Sequence, residues 1–269
     1  MLEKIKETTS FLQGKLKETP EVGIILGTGL GGLVEHIENR LAVDYKDIPN
    51  FPVSTVEGHS GRLIFGMLGG KRVMAMQGRF HFYEGYNMQE VTFPVRVMKA
   101  IGIKQLFVSN ASGGVNPSFE IGDLMLITDH INLMPNPLLG KNHSELGVRF
   151  PDMSEAYSRE LIKLADSTAA RLNIKLQRGV YVGTTGPTFE TPAEYKYFHI
   201  IGGDTVGMST VPEVIVARHS GIPVFAISII TDLGVEGKIV EVSHEEVQKE
   251  GAKAELIMTN LIKEMLKQL

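Results

Sequence analysis

The chain has 269 residues, 43% hydrophobic and 22% charged, with 27 basic and 31 acidic side chains and a formal net charge of −4. That composition fits a folded α/β-sized domain and excludes a disordered chain, while the acidic balance speaks against nucleic-acid binding. With no cysteine there is no disulfide framework, thiolate nucleophile or cysteine-based metal site. No apolar run reaches the roughly 18 residues a membrane helix needs; the run at 222–230 contains Pro223 and Ser228. The N-terminal residues mix both charge signs and lack the apolar centre of a secretory signal, so the expectation is a cytoplasmic protein with no membrane partner.

In chain order, the apolar spacing predicts an amphipathic helix over 2–17 and a buried strand at 22–26 that ends in glycines. Strands at 63–68 and 72–76 flank Gly69-Gly70-Lys71, a hairpin signal. A helix follows at 91–101, then strands at 105–109 and 124–128. Ser154 is read as opening a helix that runs to about Leu172. Strands are expected at 180–183, 205–208 and 224–231. Ser243 and Glu246 form a capping box that starts a final helix. There is no repeat or linker, so residues 1–269 are read as one domain. Strands alternating with helices imply an α/β fold around a mostly parallel sheet, whose ligands collect at the strand carboxyl ends. Polar and glycine-rich segments fall there, at 27–32, 109–116, 183–191, 207–213 and 231–237.

Five motifs carry chemistry. Gly27-Thr28-Gly29-Leu30-Gly31-Gly32 follows a strand and precedes a helical stretch at 33–37. It satisfies the dinucleotide pattern, with Asp47 twenty residues on as a ribose-binding candidate, but it equally suits a general phosphate cradle. Arg79 and His81 stand two apart around Phe80, so in extended chain they share a face and offer donors to an oxyanion, with Glu84 placed to pair with His81. His59 lies in the loop Glu57-Gly58-His59-Ser60-Gly61-Arg62. In Gly186-Pro187-Thr188-Phe189-Glu190-Thr191-Pro192 an aromatic ring sits beside a carboxylate, suiting a heterocycle; otherwise Glu190 caps the next helix. Ser209 sits where a strand passes into a helix near Pro212. No nucleophile elbow, zinc-protease or Walker pattern occurs, and the eight histidines show no metal-ligand pairing.

Taken together these segments resemble the trimeric purine nucleoside phosphorylases, most specifically through GRFHFYEGY at 78–86 and GPTFETPAE at 186–194. The resemblance implies a three-layer α/β/α domain with a central mixed, mostly parallel sheet, assembled as a homotrimer. It implies phosphorolysis of purine nucleosides, inosine and guanosine above all, to free base and (deoxy)ribose 1-phosphate, with inorganic phosphate as co-substrate and neither metal nor organic cofactor. By position, Thr28, His59, Arg79, Phe80, His81, Ala111 and Ser209 match phosphate contacts. Tyr83 and Met208 match residues at the sugar, and His244 one at its 5′-hydroxyl. Phe189 and Glu190 match residues at the base, and Phe150 an aromatic lent to the neighbouring subunit's site. Glu190, Asp232 and His81 are the expected catalytic residues.

Asp232 departs from the pattern, since 6-oxopurine phosphorylases usually carry Asn there. The related methylthioadenosine phosphorylases carry Asp and accept 6-aminopurines. Asp232 either keeps a proton and acts as an acid at N7, or stays ionised and accepts from a 6-amino group. An ionised Glu190 has no donor for an unprotonated N1 and is expected to disfavour adenine.

Overall fold

A computed structural model describes residues 1–53, 55 and 61–269. Helix α1 (Leu2–Gln13) precedes β1 (Val22–Leu26), β2 (Glu38–Asp44), β3 (Arg62–Leu68) and β4 (Lys71–Gln77). Helices α2 (Met88–Val91) and α3 (Phe93–Ile101) lead to β5 (Gln105–Gly114) and β6 (Leu124–Asn132). Then come α4 (Arg159–Leu172), β7 (Leu176–Gly183), α5 (Pro192–Ile200), β8 (Thr205–Gly207), α6 (Val211–His219), β9 (Val224–Leu233) and α7 (His244–Leu266).

The strands form one mixed sheet in the order β2-β3-β4-β1-β5-β8-β7-β6-β9, and β5 also pairs with β9. At its centre β1 runs parallel to both β4 and β5, with Val22 opposite Val73 and Gln105. The β3–β4 hairpin turns through Gly69 and Gly70, both at positive φ. Because strand side chains alternate, Ile25, Met74 and Met76 pack on one face with α1, α3 and α6, while Ile24, Val73 and Ala75 pack on the other with α4 and α7. The outcome is the expected three-layer α/β/α arrangement.

Several local expectations shift. Helix α1 stops at Gly14, short of residue 17. The helix expected from 91 is two pieces meeting at Thr92, with Asn87 capping the first. Ser158, not Ser154, caps α4; Ser154 Oγ instead donates to Asp152, 2.6 Å away. Strand β2 is additional to the strands expected from the sequence, and Asn39 lies within it. That residue is the site of an irregularity, at φ 53, in an antiparallel pairing with β3. That pairing removes the dinucleotide reading of Gly27–Gly32. The strand after the glycine loop is antiparallel and exposed, and Asp47 sits in a 3-10 turn beyond it.

Candidate functional site

A cleft of about 450 Å³ opens at the ends of β1, β4, β5, β8 and β9. Thr28, Arg79, His81, Tyr83, Ala111, Phe189, Glu190, Met208, Ser209, Asp232 and His244 all line it. Among the described residues two expected contributors, Phe80 and Phe150, do not join them. His59 lies outside the described residues. Phe80 alternates away from Arg79 and His81 into the core, where its ring packs on Tyr45, Phe51 and Tyr86. Phe150 is 87% exposed beside Arg149 and Pro151, away from the cleft.

One end of the cleft gathers Thr28, Arg79, His81 and Ser209. Arg79 is 1% exposed, and its guanidinium is held by the protein itself. Nε and Nη2 donate to the two Glu213 oxygens at 3.0 and 3.4 Å, and Nη1 donates to Ser109 O and Ser209 Oγ at 2.8 and 3.2 Å. The fork expected to face phosphate is thus largely engaged by Glu213, a residue not singled out in the sequence. His81 stacks on Tyr83 at 4.7 Å, and its Nδ1 lies 3.2 Å from Glu84 Oε1. Burial lowers the His81 pKa despite that pairing, so Glu84 orients the ring without keeping it cationic. Burial acts to raise Glu84, but hydrogen bonds from His81 and Thr55 outweigh it and hold the carboxyl down at about 2.

Ser209 owes its direction to the backbone. Thr210 adopts φ 68, ψ −54, and Val211 N donates to Ser209 O at 2.7 Å. This is a γ-turn of the strained hand, uncommon for a β-branched residue. A buried chain of hydrogen bonds holds it: Asn110 Nδ2 donates to Thr210 Oγ1 (2.8 Å), Ser228 Oγ donates to Asn110 Oδ1 (2.6 Å), and Ser112 Oγ lies 2.6 Å from Ser228 Oγ. The helix N-terminus expected after Gly27–Gly32 is a single 3-10 stretch, Gly31–His36. Its leading donors are already used, since Gly32 N and Leu33 N both donate to Glu255 of α7. What this loop offers the cleft is Thr28.

The other end carries two carboxyl groups. Thr191 caps α5 through its own hydroxyl, with Glu194 completing the box. Glu190 is therefore released from the capping role considered for it. Burial, then the neighbouring Asp232 charge, pushes Glu190 up to about 7. Asp232 is 8% exposed, and burial raises its pKa as well. Thr231 Oγ1 and Tyr195 Oη lie 3.0 and 3.3 Å from the two Asp232 oxygens, and Thr184 Oγ1 lies 3.5 Å from Glu190 Oε1. Tyr195 escaped sequence reading because it sits in a helix whose pattern suggests only packing. Phe189 lines the cleft with Glu190, and Tyr83 and Met208 line it too, both of them close to Gly186. Among the described residues no His, Cys, Asp or Glu group is arranged to hold a metal ion, and no helix is long and apolar enough to cross a membrane.

Comparison with known proteins gives a consistent picture. The Phosphorylase superfamily model matches residues 21–267. Purine nucleoside phosphorylase 1 of Bacillus subtilis (strain 168) is 52% identical over 269 residues, covering 100% of this chain and 99% of its own. The crystal structure of Schistosoma mansoni purine nucleoside phosphorylase in complex with adenosine superposes with a TM-score of 0.95 at 44% identity, covering 99% of this chain and 97% of that one. Isoform 2 from the same organism, in complex with cytosine and ribose-1-phosphate, gives 0.95 at 41% identity, with coverage of 99% and 96%.

Proposed function

Since the chain belongs to the phosphorylase superfamily, we propose that it is a purine nucleoside phosphorylase, cleaving the N-glycosidic bond with inorganic phosphate to give free purine and (deoxy)ribose 1-phosphate. The observation that carries this is one cleft with an anion end at Arg79, His81 and Ser209 and a heterocycle end at Phe189, Glu190 and Asp232. The adenosine and ribose-1-phosphate bound to the Schistosoma mansoni relatives are a substrate and a product of that reaction.

The chemistry follows from the geometry. Breaking the C–N bond leaves positive charge on the sugar. Phosphate at the Arg79 end lies beside that carbon and supplies both compensating charge and the nucleophile. Ser209 and Thr28 add hydroxyl donors, and His81, oriented by Glu84, completes the anion's surroundings. Tyr83 and Met208 cover the sugar, and His244, at the start of α7, meets its 5′ end. The departing purine gains electrons; Glu190 takes the N1 edge, and Asp232 with a proton serves as the acid at N7. No metal or organic cofactor takes part. Phe150, exposed on the single chain, is the group a neighbouring subunit's cleft receives in a homotrimer. The protein works in the cytoplasm.

Release of hypoxanthine from inosine tests the reading. It should require phosphate and yield ribose 1-phosphate. Hypoxanthine formed equally fast without phosphate would make the protein a hydrolase, and no turnover would leave only a binding protein.

A further inference from the structure

We infer that Ser112, Ser228, Asn110 and Thr210 form a one-way hydrogen-bond relay that aims the Ser209 hydroxyl proton into the anion end of the cleft. Thr210 and Ser228 are thereby positioning residues for phosphate, although neither lines the cleft. The inference rests on the phosphorolysis reading above and deepens it at the phosphate end.

The relay is built across the seam between β5 and β9. Asn110 and Ser112 stand two apart on β5 and so share a face, and Ser228 of β9 is the register partner of Asn110. These three and Thr210 are all buried. Ser112 Oγ and Ser228 Oγ lie 2.6 Å apart, Ser228 Oγ donates to Asn110 Oδ1 at 2.6 Å, and Asn110 Nδ2 donates to Thr210 Oγ1 at 2.8 Å. Thr210 Oγ1 is in turn 3.2 Å from Ser209 Oγ. Thr210 is the N-cap of α6, where a threonine hydroxyl ordinarily accepts from the first turn of the helix. Its side chain makes no such bond, and the turn at φ 68 leaves the hydroxyl to Asn110 and Ser209 instead.

The direction follows from counting protons, since a hydroxyl donates once and accepts twice. Ser228 gives its proton to Asn110, so the proton between Ser112 and Ser228 belongs to Ser112. Thr210 accepts from Asn110, and among the described residues Ser209 Oγ is the other side-chain oxygen its hydroxyl meets. Were Ser209 to donate to Thr210, the buried Thr210 proton would be left without an acceptor, a cost that the opposite sense avoids. Thr210 therefore donates to Ser209. Ser209 Oγ also accepts from Arg79 Nη1 at 3.2 Å, so both of its lone pairs are taken. What Ser209 can still offer is its proton, and an anion in the cleft is the acceptor that strengthens such a bond most. Each donor in the series also polarises the next. Turning the Asn110 amide round would reverse the relay, drawing the Thr210 proton to Oδ1 and releasing Ser209 to rotate. Ser228 is the group that holds the amide against this.

The test is the phosphate KM, at saturating inosine, of Thr210→Val, Thr210→Ser and Ser228→Ala, each made in the wild type and in Ser209→Ala. Thr210→Val keeps the branched shape and removes the hydroxyl. It should raise the phosphate KM roughly tenfold, the scale of one hydrogen bond to a charged group, and leave kcat and the inosine KM within about twofold. Thr210→Ser keeps the hydroxyl and should hold the phosphate KM within about twofold of the wild type. Ser228→Ala lets the amide turn and should raise the phosphate KM roughly three- to tenfold. In Ser209→Ala neither Thr210→Val nor Ser228→Ala should raise it further, because the proton they aim is gone. A general loosening of the site would instead move the inosine and phosphate KM together and add to the effect of Ser209→Ala. An unmoved phosphate KM in Thr210→Val, the same rise in Thr210→Ser, or additive effects in the Ser209→Ala background overturns the inference. If Thr210→Val does not fold, Ser228→Ala supplies the same comparison. Phosphate-dependent turnover by the wild type with any of these results leaves phosphorolysis standing, whereas a wild type that cleaves inosine without phosphate, or not at all, removes both.

Discussion

Replacing Arg79 by Met separates two roles that one side chain performs. Arg79 and Glu213 are 1% and 3% exposed and form a two-point pair. Loss of the guanidinium leaves a carboxylate buried with its counter-charge gone, a perturbation that costs about 3–5 kcal/mol of stability. It also removes a cation from the anion end. A charge-assisted hydrogen bond is worth about 1.5–3 kcal/mol, which corresponds to a roughly 10- to 150-fold rise in the phosphate KM. The double variant Arg79→Met/Glu213→Gln has no net buried charge there. Urea unfolding should show most of the lost stability restored in the double variant, while initial rates at saturating inosine should show its phosphate KM still raised. If the double variant regained the wild-type phosphate KM, Arg79 would serve only to neutralise Glu213. If the single variant unfolded at the same urea concentration as the wild type, the pair would not be the buried, coupled unit that its geometry indicates.

Glu190→Gln should abolish most inosine cleavage yet stabilise the fold at alkaline pH. Because folding raises this carboxyl to about 7, its favourable contribution is complete below about pH 4.5 and lost as pH rises through 7. The variant should therefore gain up to roughly 3 kcal/mol at pH 8 relative to pH 4, and equal urea midpoint differences at the two pH values would contradict that. Asp232→Asn should lower the adenosine-to-inosine ratio of kcat/KM by roughly tenfold, since it fixes a neutral amide where an ionised acceptor serves the amino group; an unchanged ratio would remove Asp232 from the six-position. Light scattering should give a trimer, and Phe150→Ala should raise the nucleoside KM without lowering kcat. A fully active monomer would refute the cross-subunit role.

The parts legible in the sequence are those whose signal is local. The alternation of Arg79 and His81 puts two polar groups in the cleft, whereas Phe80, expected among the phosphate contacts, turns into the core between them. Ser243 and Glu246 form the capping box their spacing announces. Ser154 misled because a Ser near a helix start fits several turns, and Asp152 competes for its hydroxyl. Other features need the fold. Glu255 reaches Gly32 across 223 positions, and Glu213 reaches Arg79 across 134. Read in isolation, Glu213 is an ordinary acid in the first turn of α6, and nothing local marks it as the partner of a buried arginine. Tyr195 reads as one more aromatic in an apolar helix, and only the convergence of α5 with β9 makes its hydroxyl part of the site.

The pairing of β5 with both β8 and β9 closes β5-β8-β7-β6-β9 into a hoop. An open sheet can shear or splay at its margin, but a cyclic ladder cannot widen at one seam without straining the others. Three staves of this hoop carry or lead into the site: β5 brings Ala111 and Gly113, β8 leads to Met208 and Ser209, and β9 carries Asp232. The span from the anion end to the base end is thus a fixed girth. Occupants are sorted by whether they match that gauge, and the give needed for entry and exit falls to the connecting loops, such as the one carrying Phe189.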